Sequence, residues 1–340
     1  MKRFFLLLIC SLQAVSAWAD PSNPLKERLQ RARRGDYIVT EANKVITIIA
    51  VRSKTDASVV FEEISVPAQH LKETPESWSQ WVKNKAPGHT SWSMIEIDLP
   101  SNQLLECYSF SRSAWLQATS QDSLLSTLLH LPLKELDDNQ RKKIGPAPLE
   151  GEVDRRQTWN PPLTVNGQKM KQARFLAYAA EWPQDRSELS GKTVTVYFDE
   201  EGKFPFPYWI QVDTSHVTAS MRVIDSGSQL PSPYKKLPRR VPEFTSTPRS
   251  TEKGLQLFLK SPKYYKAFEL FAIDITTKEK QILPIPHFIL SHQEEAIQIE
   301  IPQTELAQTL EAGHRYTWLL VPTGYSEYYT ESTKPFHWNP

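Results

Sequence analysis

The chain has 340 residues, and its 40 Lys and Arg residues nearly balance its 39 Asp and Glu residues. This balance excludes the strongly basic surface by which proteins hold nucleic acid. The length exceeds what a single hydrophobic core usually organises, so two domains are expected.

The first 19 residues have the pattern of a secretory signal peptide. A positive start at Lys2 precedes a short apolar run, and small residues stand at Ala17 and Ala19. The pattern predicts cleavage after Ala19 and an exported chain, periplasmic or secreted, that begins at Asp20. The run is too short to span a bilayer and no later run is long enough, so no transmembrane segment is expected in the mature chain.

The chain contains only two cysteines, Cys10 and Cys107. Removal of the signal leaves Cys107 alone, which excludes an internal disulfide. Its apolar setting predicts a buried thiol that packs in the core. A lipidated start at Cys10 is disfavoured because Leu8 and Ile9 stand where a lipoprotein signal has small residues.

A proline-rich segment divides the chain. Residues 230–251 contain five prolines, each of which is unfavourable inside a helix or a central strand. The sequence therefore predicts an N-terminal domain over residues 20–229, a semi-rigid linker over residues 230–251 and a C-terminal domain over residues 252–340.

The N-terminal domain is predicted to be mostly β, because apolar and polar residues alternate in run after run. These runs cover residues 37–42, 45–52, 58–66, 93–99, 104–110, 174–182, 193–198 and 217–224. Short polar turns between neighbouring runs predict a long antiparallel meander, forming a curved sheet that resembles half a barrel.

Three helices are predicted as inserts. Asn23 caps the first, Thr74 and Pro75 begin the second, and Ser120 begins the third. The second carries Trp78 and Trp81 at helical spacing, and the third carries an apolar stripe formed by Leu124, Leu125, Leu128 and Leu129. Such helices either close one face of the sheet or cover a cavity that holds an acyl chain.

This order of elements resembles the periplasmic lipoprotein carriers of the LolA/LolB type. The shared features are a signal peptide, an amphipathic first helix, a long meander and interrupting apolar helices, over about residues 20–229. No diagnostic motif accompanies them. The resemblance implies an open half-barrel whose partner is an acyl chain, a lipoprotein or an envelope protein.

Aromatic residues supply the candidate ligand-binding side chains. In "FPFPYWIQV", Pro205 and Pro207 hold the backbone extended, which suits either an aromatic binding platform or a strand that enters the core. The candidates are Trp78, Trp81, Phe204, Phe206, Tyr208 and Trp209.

Enzyme signatures are absent from the sequence. It has no phosphate-binding glycine loop, no G-x-S-x-G and no H-E-x-x-H. His287 and His292 lack the companions of a four-ligand metal site. The sequence thus predicts no catalytic residue, no metal and no cofactor.

The C-terminal domain is predicted to be a β-sandwich, because four or more alternating runs fit within its length. Leu310, Gly313 and Tyr316 have the L-x-x-G-x-x-Y spacing that resembles the tyrosine corner of fibronectin type III and immunoglobulin-like domains. The resemblance implies that the tyrosine hydroxyl locks the turn, and that the domain acts as a spacer or a docking module.

Two classes of function remain open. One is a non-catalytic envelope protein that binds a hydrophobic ligand, a lipoprotein or a protein partner. The other is a secreted hydrolase or glycan-active enzyme with an accessory sandwich. An apolar cavity would favour the first, and a polar cleft with paired carboxylates would favour the second.

Overall fold

Antiparallel strands are the main secondary structure of the described chain and helices are few, as the sequence predicts. The structure is a computed structural model that describes residues 23–71, 75, 77–119, 123–185, 187–212, 220–293 and 295–339. The predicted signal peptide and the predicted helix starts at Thr74 and Ser120 lie outside these residues. The described chain divides into two compact units, Met1–Lys236 and Leu237–Pro340.

The N-terminal unit consists of three short α-helices, a 3-10 helix at Ala68–His70 and thirteen strands within the described residues. The helices are α1 Pro24–Arg31, α2 Trp78–Lys83 and α3 Leu124–His130. The strands are β1 Tyr37–Ala42, β2 Val45–Lys54, β3 Ser58–Pro67, β4 Ser91–Asp98, β5 Leu104–Ser109, β6 Ala114–Trp115, β7 Lys134–Glu135, β8 Leu163–Val165, β9 Gln168–Met170, β10 Phe175–Glu181, β11 Thr193–Asp199, β12 Trp209–Gln211 and β13 Ser220–Gly227.

Eleven of these strands form one open sheet in the order β6-β5-β4-β3-β2-β1-β13-β12-β11-β10-β7. Consecutive strands pair as hairpins, and the sheet is joined at its middle because β1 pairs with both β2 and β13. Tyr37 lies opposite Ala50 on one side and Gly227 on the other. The pairing thus brings an early strand and a late strand together in one meander.

Helices cover both faces of the eleven-stranded sheet. Because side chains alternate along a strand, Ile49 and Val51 of β2 join one core cluster, whereas Ile48 and Ala50 join another. The first cluster contains residues of α1 and α3, and the second contains residues of α2. The two sides of the sheet are therefore named the α1–α3 face and the α2 face.

The start of α1 shows the predicted capping chemistry, whereas the capping residues of α2 and α3 lie three residues after the predicted starts at Thr74 and Ser120. Asn23 accepts a hydrogen bond from the Leu25 backbone N–H at 2.9 Å, with Pro24 at the first helical position. Ser77 caps α2 and Ser123 caps α3. The Asn23 amide also donates to the Leu128 carbonyl at 2.9 Å, which ties α1 to α3.

The C-terminal unit contains two five-stranded sheets. Its elements are β14 Glu243–Phe244, β15 Arg249–Thr251, β16 Gly254–Lys260, β17 Phe268–Asp274, β18 Gln281–Ile285, β19 Ile289–Gln293, β20 Ala296–Pro302, α4 Gln303–Thr309, β21 Arg315–Pro322, a 3-10 helix at Ser326–Tyr328, β22 Thr330–Glu331 and β23 Phe336–His337. One sheet has the order β14-β16-β20-β19, with β15 also on β16, and the other has the order β18-β17-β21-β22, with β23 also on β21. Alternate side chains of β16, β20, β17 and β21 form one shared core, so the two sheets pack face to face.

The segment predicted as a linker, residues 230–251, is not one free connector. At its start, the Arg52 guanidinium donates to the Leu230 carbonyl at 2.8 Å and to the Pro231 carbonyl at 3.1 Å. At its end, β14 and β15 both pair with β16. The prolines keep the backbone of this segment extended. The carbonyls at its start accept hydrogen bonds within the N-terminal unit, and the strands at its end pair within the C-terminal unit.

Candidate functional site

A cavity of about 670 Å³ lies beside α3 and is named the α3 cavity. It is lined by Gln103, Thr119, Thr127, His130, Leu131, Pro132, Glu181 and Pro183. Its volume falls within the range of small-molecule sites, roughly 300–1,000 Å³. Three of these residues, Leu131, Pro132 and Pro183, are apolar, and the other five carry polar side chains.

The position of α3 explains why the cavity forms there. At one flank of the sheet, Ser126 donates to the Asn102 carbonyl at 2.8 Å and Asn102 donates to the Leu129 carbonyl at 3.1 Å, which fixes α3 to the turn between β4 and β5. After α3, the chain enters β7, where Glu135 lies opposite Tyr178 of β10. The helix thus connects both flanks of the sheet, and the cavity lies between them.

His130 is fixed at the wall of the α3 cavity. Its Nδ1 lies 2.8 Å from the Ser126 carbonyl oxygen, which can only accept, so Nδ1 carries the proton. Nε2 then accepts a hydrogen bond from the Gln103 amide at 3.2 Å. Both ring nitrogens are engaged, so the imidazole is oriented as part of a polar wall.

A second cavity, of about 470 Å³, lies along the outer edge of β10 and is named the polar cleft. Its lining includes Glu135, Asp137, Asp138, Arg141, Thr158, Asn160, Arg174 and Glu200. Leu136 continues alongside β10 by donating its N–H to the Ala177 carbonyl at 2.8 Å. Strand β10 therefore forms the base of the cleft, and charged side chains surround it.

Three of the predicted ligand-binding residues lie in the core of the α1–α3 face. Phe206 and Tyr208 have no exposed surface, and Phe204 is buried beside them. The Tyr208 N–H donates to the Tyr197 carbonyl at 2.7 Å, and the Tyr208 hydroxyl donates to the Thr164 carbonyl at 2.8 Å. Residues 204–208 thus pack inward, as the core interpretation of this proline-bounded segment requires.

The remaining candidates lie elsewhere. Trp209 is half-buried, with its ring 5.4 Å from that of Trp159. Trp78 and Trp81 of α2 are buried on the α2 face, with ring centroids 5.8 Å apart. The six aromatics are therefore not brought together, and none of them lines the α3 cavity or the polar cleft.

Sequence reasoning missed the residues that line both cavities. Gln103, His130 and Glu181 come from distant parts of the chain and share no motif. The available signal was the leucine stripe of α3, which indicates a helix with one apolar face and ends at His130.

The Cys107 thiol is buried and has no disulfide partner. Burial raises its pKa to about 11, with the charges of Glu63 and Glu106 adding to the effect, so the thiol stays protonated at neutral pH.

Among the described residues, no group of three His, Cys, Asp or Glu side chains is placed to hold a metal ion. None of the described helices has both the length and the hydrophobicity needed to cross a membrane.

The turn before β21 is closed by the buried Tyr316. Its hydroxyl accepts a hydrogen bond from the Glu311 backbone N–H at 2.8 Å, and Leu310 is buried beside it. Gly313 has a φ of 78°, a left-handed conformation that favours glycine, and its N–H donates to the Trp338 carbonyl at 2.9 Å.

We expect Tyr316→Phe to destabilise the C-terminal unit by about 1 kcal/mol, because the Glu311 N–H loses a partner in a partly buried turn. Hydrogen–deuterium exchange of the full chain checks this, with faster exchange expected in β21 and unchanged exchange in β2. Unchanged exchange in β21 would show that this hydrogen bond does not stabilise the turn.

Comparison with known proteins gives similarity without a function. A model of the CT021 protein family matches residues 47–171. The solved structure of the hypothetical protein CT021 from Chlamydia trachomatis is 23% identical, with a TM-score of 0.45, over 63% of this chain and 97% of that chain. No curated protein matches. Neither the matched family nor this solved structure is described as a fibronectin type III domain or a LolA/LolB carrier, and the family match runs from within β2 to the end of β9 and includes α2 and α3.

Proposed function

We propose that this chain is an exported, non-catalytic envelope protein whose N-terminal unit binds a hydrophobic ligand in the α3 cavity. The ligand is the acyl chain of a lipid or of a lipoprotein. The observation that carries the proposal is the size of this cavity, about 670 Å³, between a helix and both flanks of an open sheet.

The lining supports this ligand class. Leu131, Pro132 and Pro183 offer apolar surface, and burial of each methylene is worth about 0.8 kcal/mol before ordering costs. The oriented His130 and Gln103 would then contact the polar end of the ligand. The site thus differs from the one expected at α2, whose tryptophans pack against the sheet.

The C-terminal unit is proposed to be an immunoglobulin-like or fibronectin type III-like spacer or docking module. Its strand orders, β14-β16-β20-β19 and β18-β17-β21-β22, support this assignment, as does the turn closed by Tyr316. The alternative function, a secreted hydrolase or glycan-active enzyme, stays a prediction, and the carboxylates of the polar cleft are the feature that favours it.

Pro132→Asp is expected to weaken binding of a fatty acid or an acylated peptide by tenfold or more. Pro132 is exposed and lines the α3 cavity, so the variant places a charge on the apolar wall at little cost to folding. The measurement is calorimetric titration of the chain from Asp20 onward with laurate and with a lauroylated peptide, together with mass spectrometry of lipids that co-purify.

Pro162→Asp is the matched control, because Pro162 is an exposed proline of the same unit that lines neither cavity. Its affinity should equal that of the wild type. Absence of saturable binding in the wild type, or equal affinity in Pro132→Asp, would refute the assignment of the site.

A further inference from the structure

The polar cleft has one wall whose side chains are held in place. The Arg141 Nη2 donates to the Asn160 Oδ1 at 2.9 Å, and its Nη1 lies 3.5 Å from the Asp138 Oδ1. Only 12% of the Arg141 side chain is exposed, and its buried Nε has no hydrogen-bond partner in the described part of the chain. Asp137 accepts hydrogen bonds from the backbone N–H groups of Asn139 and Gln140, which fixes the turn above this wall.

The other side of the polar cleft carries charges that are not paired internally. Glu200 follows the end of β11, and its backbone N–H donates to the Arg174 carbonyl at 3.0 Å. Both side chains line the cleft, as does Glu135 of β7. Within the described residues, no hydrogen bond or ion pair engages the side chains of Glu135, Arg174 or Glu200. The cleft therefore offers free donors and free acceptors on the same surface.

The balance of these charges limits the ligands that fit. With Arg141 next to Asp138, the lining leaves the carboxylates of Glu135, Asp137 and Glu200 against the single guanidinium of Arg174. An anionic ligand would be repelled by three carboxylates, and a cationic ligand would leave Arg174 without a partner. A zwitterion would bring only one cationic group to three carboxylates and would leave two of them without a hydrogen-bond donor from the ligand.

Hydroxyl groups both donate and accept, so an uncharged ligand rich in hydroxyls can pair with arginine, carboxylate and amide groups at once. We propose that the polar cleft binds a saccharide, held between the Arg141–Asn160 wall and the Arg174–Glu200 side. This site is separate from the α3 cavity and does not depend on the function proposed for that cavity.

The test uses the full mature chain and three neutral probes, namely maltotetraose, cellotetraose and tetra-N-acetylchitotetraose. Saturation-transfer NMR detects binding, and calorimetric titration measures it. We expect at least one probe to bind, and we expect Arg174→Gln and Glu200→Gln each to weaken that binding about tenfold, since each removes a hydrogen bond to a charged group.

The chain offers a matched control for each variant. Lys171→Gln removes an exposed cation three residues from Arg174, and Glu201→Gln removes the carboxylate next to Glu200; neither residue lines the cleft. Both controls should bind within twofold of the wild type. The proposal is overturned if none of the three saccharides binds, if the controls lose as much affinity as the cleft variants, or if diglycine or trilysine binds more tightly than the best saccharide.

Discussion

Arg52→Ala is expected to destabilise the N-terminal unit by about 3–5 kcal/mol. Arg52 and Glu62 form an ion pair on the α2 face, with 4% and 0% of their side chains exposed. Removal of the guanidinium leaves the Glu62 carboxylate buried without its counter-charge, and a buried unpaired charge is among the most costly changes in a folded protein.

The position of this pair in a wider network increases the expected effect. The Glu62 Oε1 accepts hydrogen bonds from the Trp92 indole at 2.6 Å and from the Ser232 hydroxyl at 2.7 Å. Arg52 also holds the carbonyls of Leu230 and Pro231. The variant should therefore loosen residues 230–234 as well as the sheet.

Urea denaturation of the chain from Asp20 onward measures the loss, and hydrogen–deuterium exchange shows whether it falls in β2, β3 and residues 230–234. Arg222→Ala is the control, because the Arg222–Glu41 pair lies at the surface. Its removal should lower the free energy of unfolding by no more than about 0.5 kcal/mol. Equal effects of the two variants would contradict the prediction. A double variant, Arg52→Met with Glu62→Leu, should recover much of the stability because it removes both charges together.

Local patterns predicted the local structure well. The alternation of 37–42 became β1 with the same bounds, since period-two burial determines both the strand and its register. Asn23 and Pro24 define the start of α1 because capping depends on neighbouring residues alone. The mostly-β class and the inserted helices followed from the same signals.

Contacts between residues far apart in the sequence could not be predicted from the sequence. Arg52 lies 178 positions from Leu230, so nothing local indicated that the proline-rich segment begins by packing on the N-terminal sheet. Gln103 and Glu181 line the same α3 cavity only because α3 connects the two flanks of the sheet. The sequence at 204–209 is compatible with a binding platform and, more readily, with a core strand, and the burial that distinguishes them is a property of the fold.

Phe206→Ala is expected to destabilise the N-terminal unit by about 3–5 kcal/mol, the usual cost of removing a fully buried phenylalanine ring. Phe206 has no exposed surface, and its ring lies 5.9 Å from that of Phe61 on β3. The substitution opens a cavity in the α1–α3 core where Pro205 and Pro207 limit how far the backbone can adjust.

Two further variants make the test specific. Phe206→Leu keeps most of the apolar volume, so its loss should be clearly smaller, and Trp115→Ala removes an aromatic ring that is 42% exposed and should cost far less. Urea denaturation of the chain from Asp20 onward gives the free energy of unfolding of the three variants. If Phe206→Ala were as stable as the wild type but lost affinity for acyl ligands, residue 206 would belong to a binding surface. Because Phe206 is buried against Phe61, the loss of stability should be largest for Phe206→Ala, smaller for Phe206→Leu and smallest for Trp115→Ala.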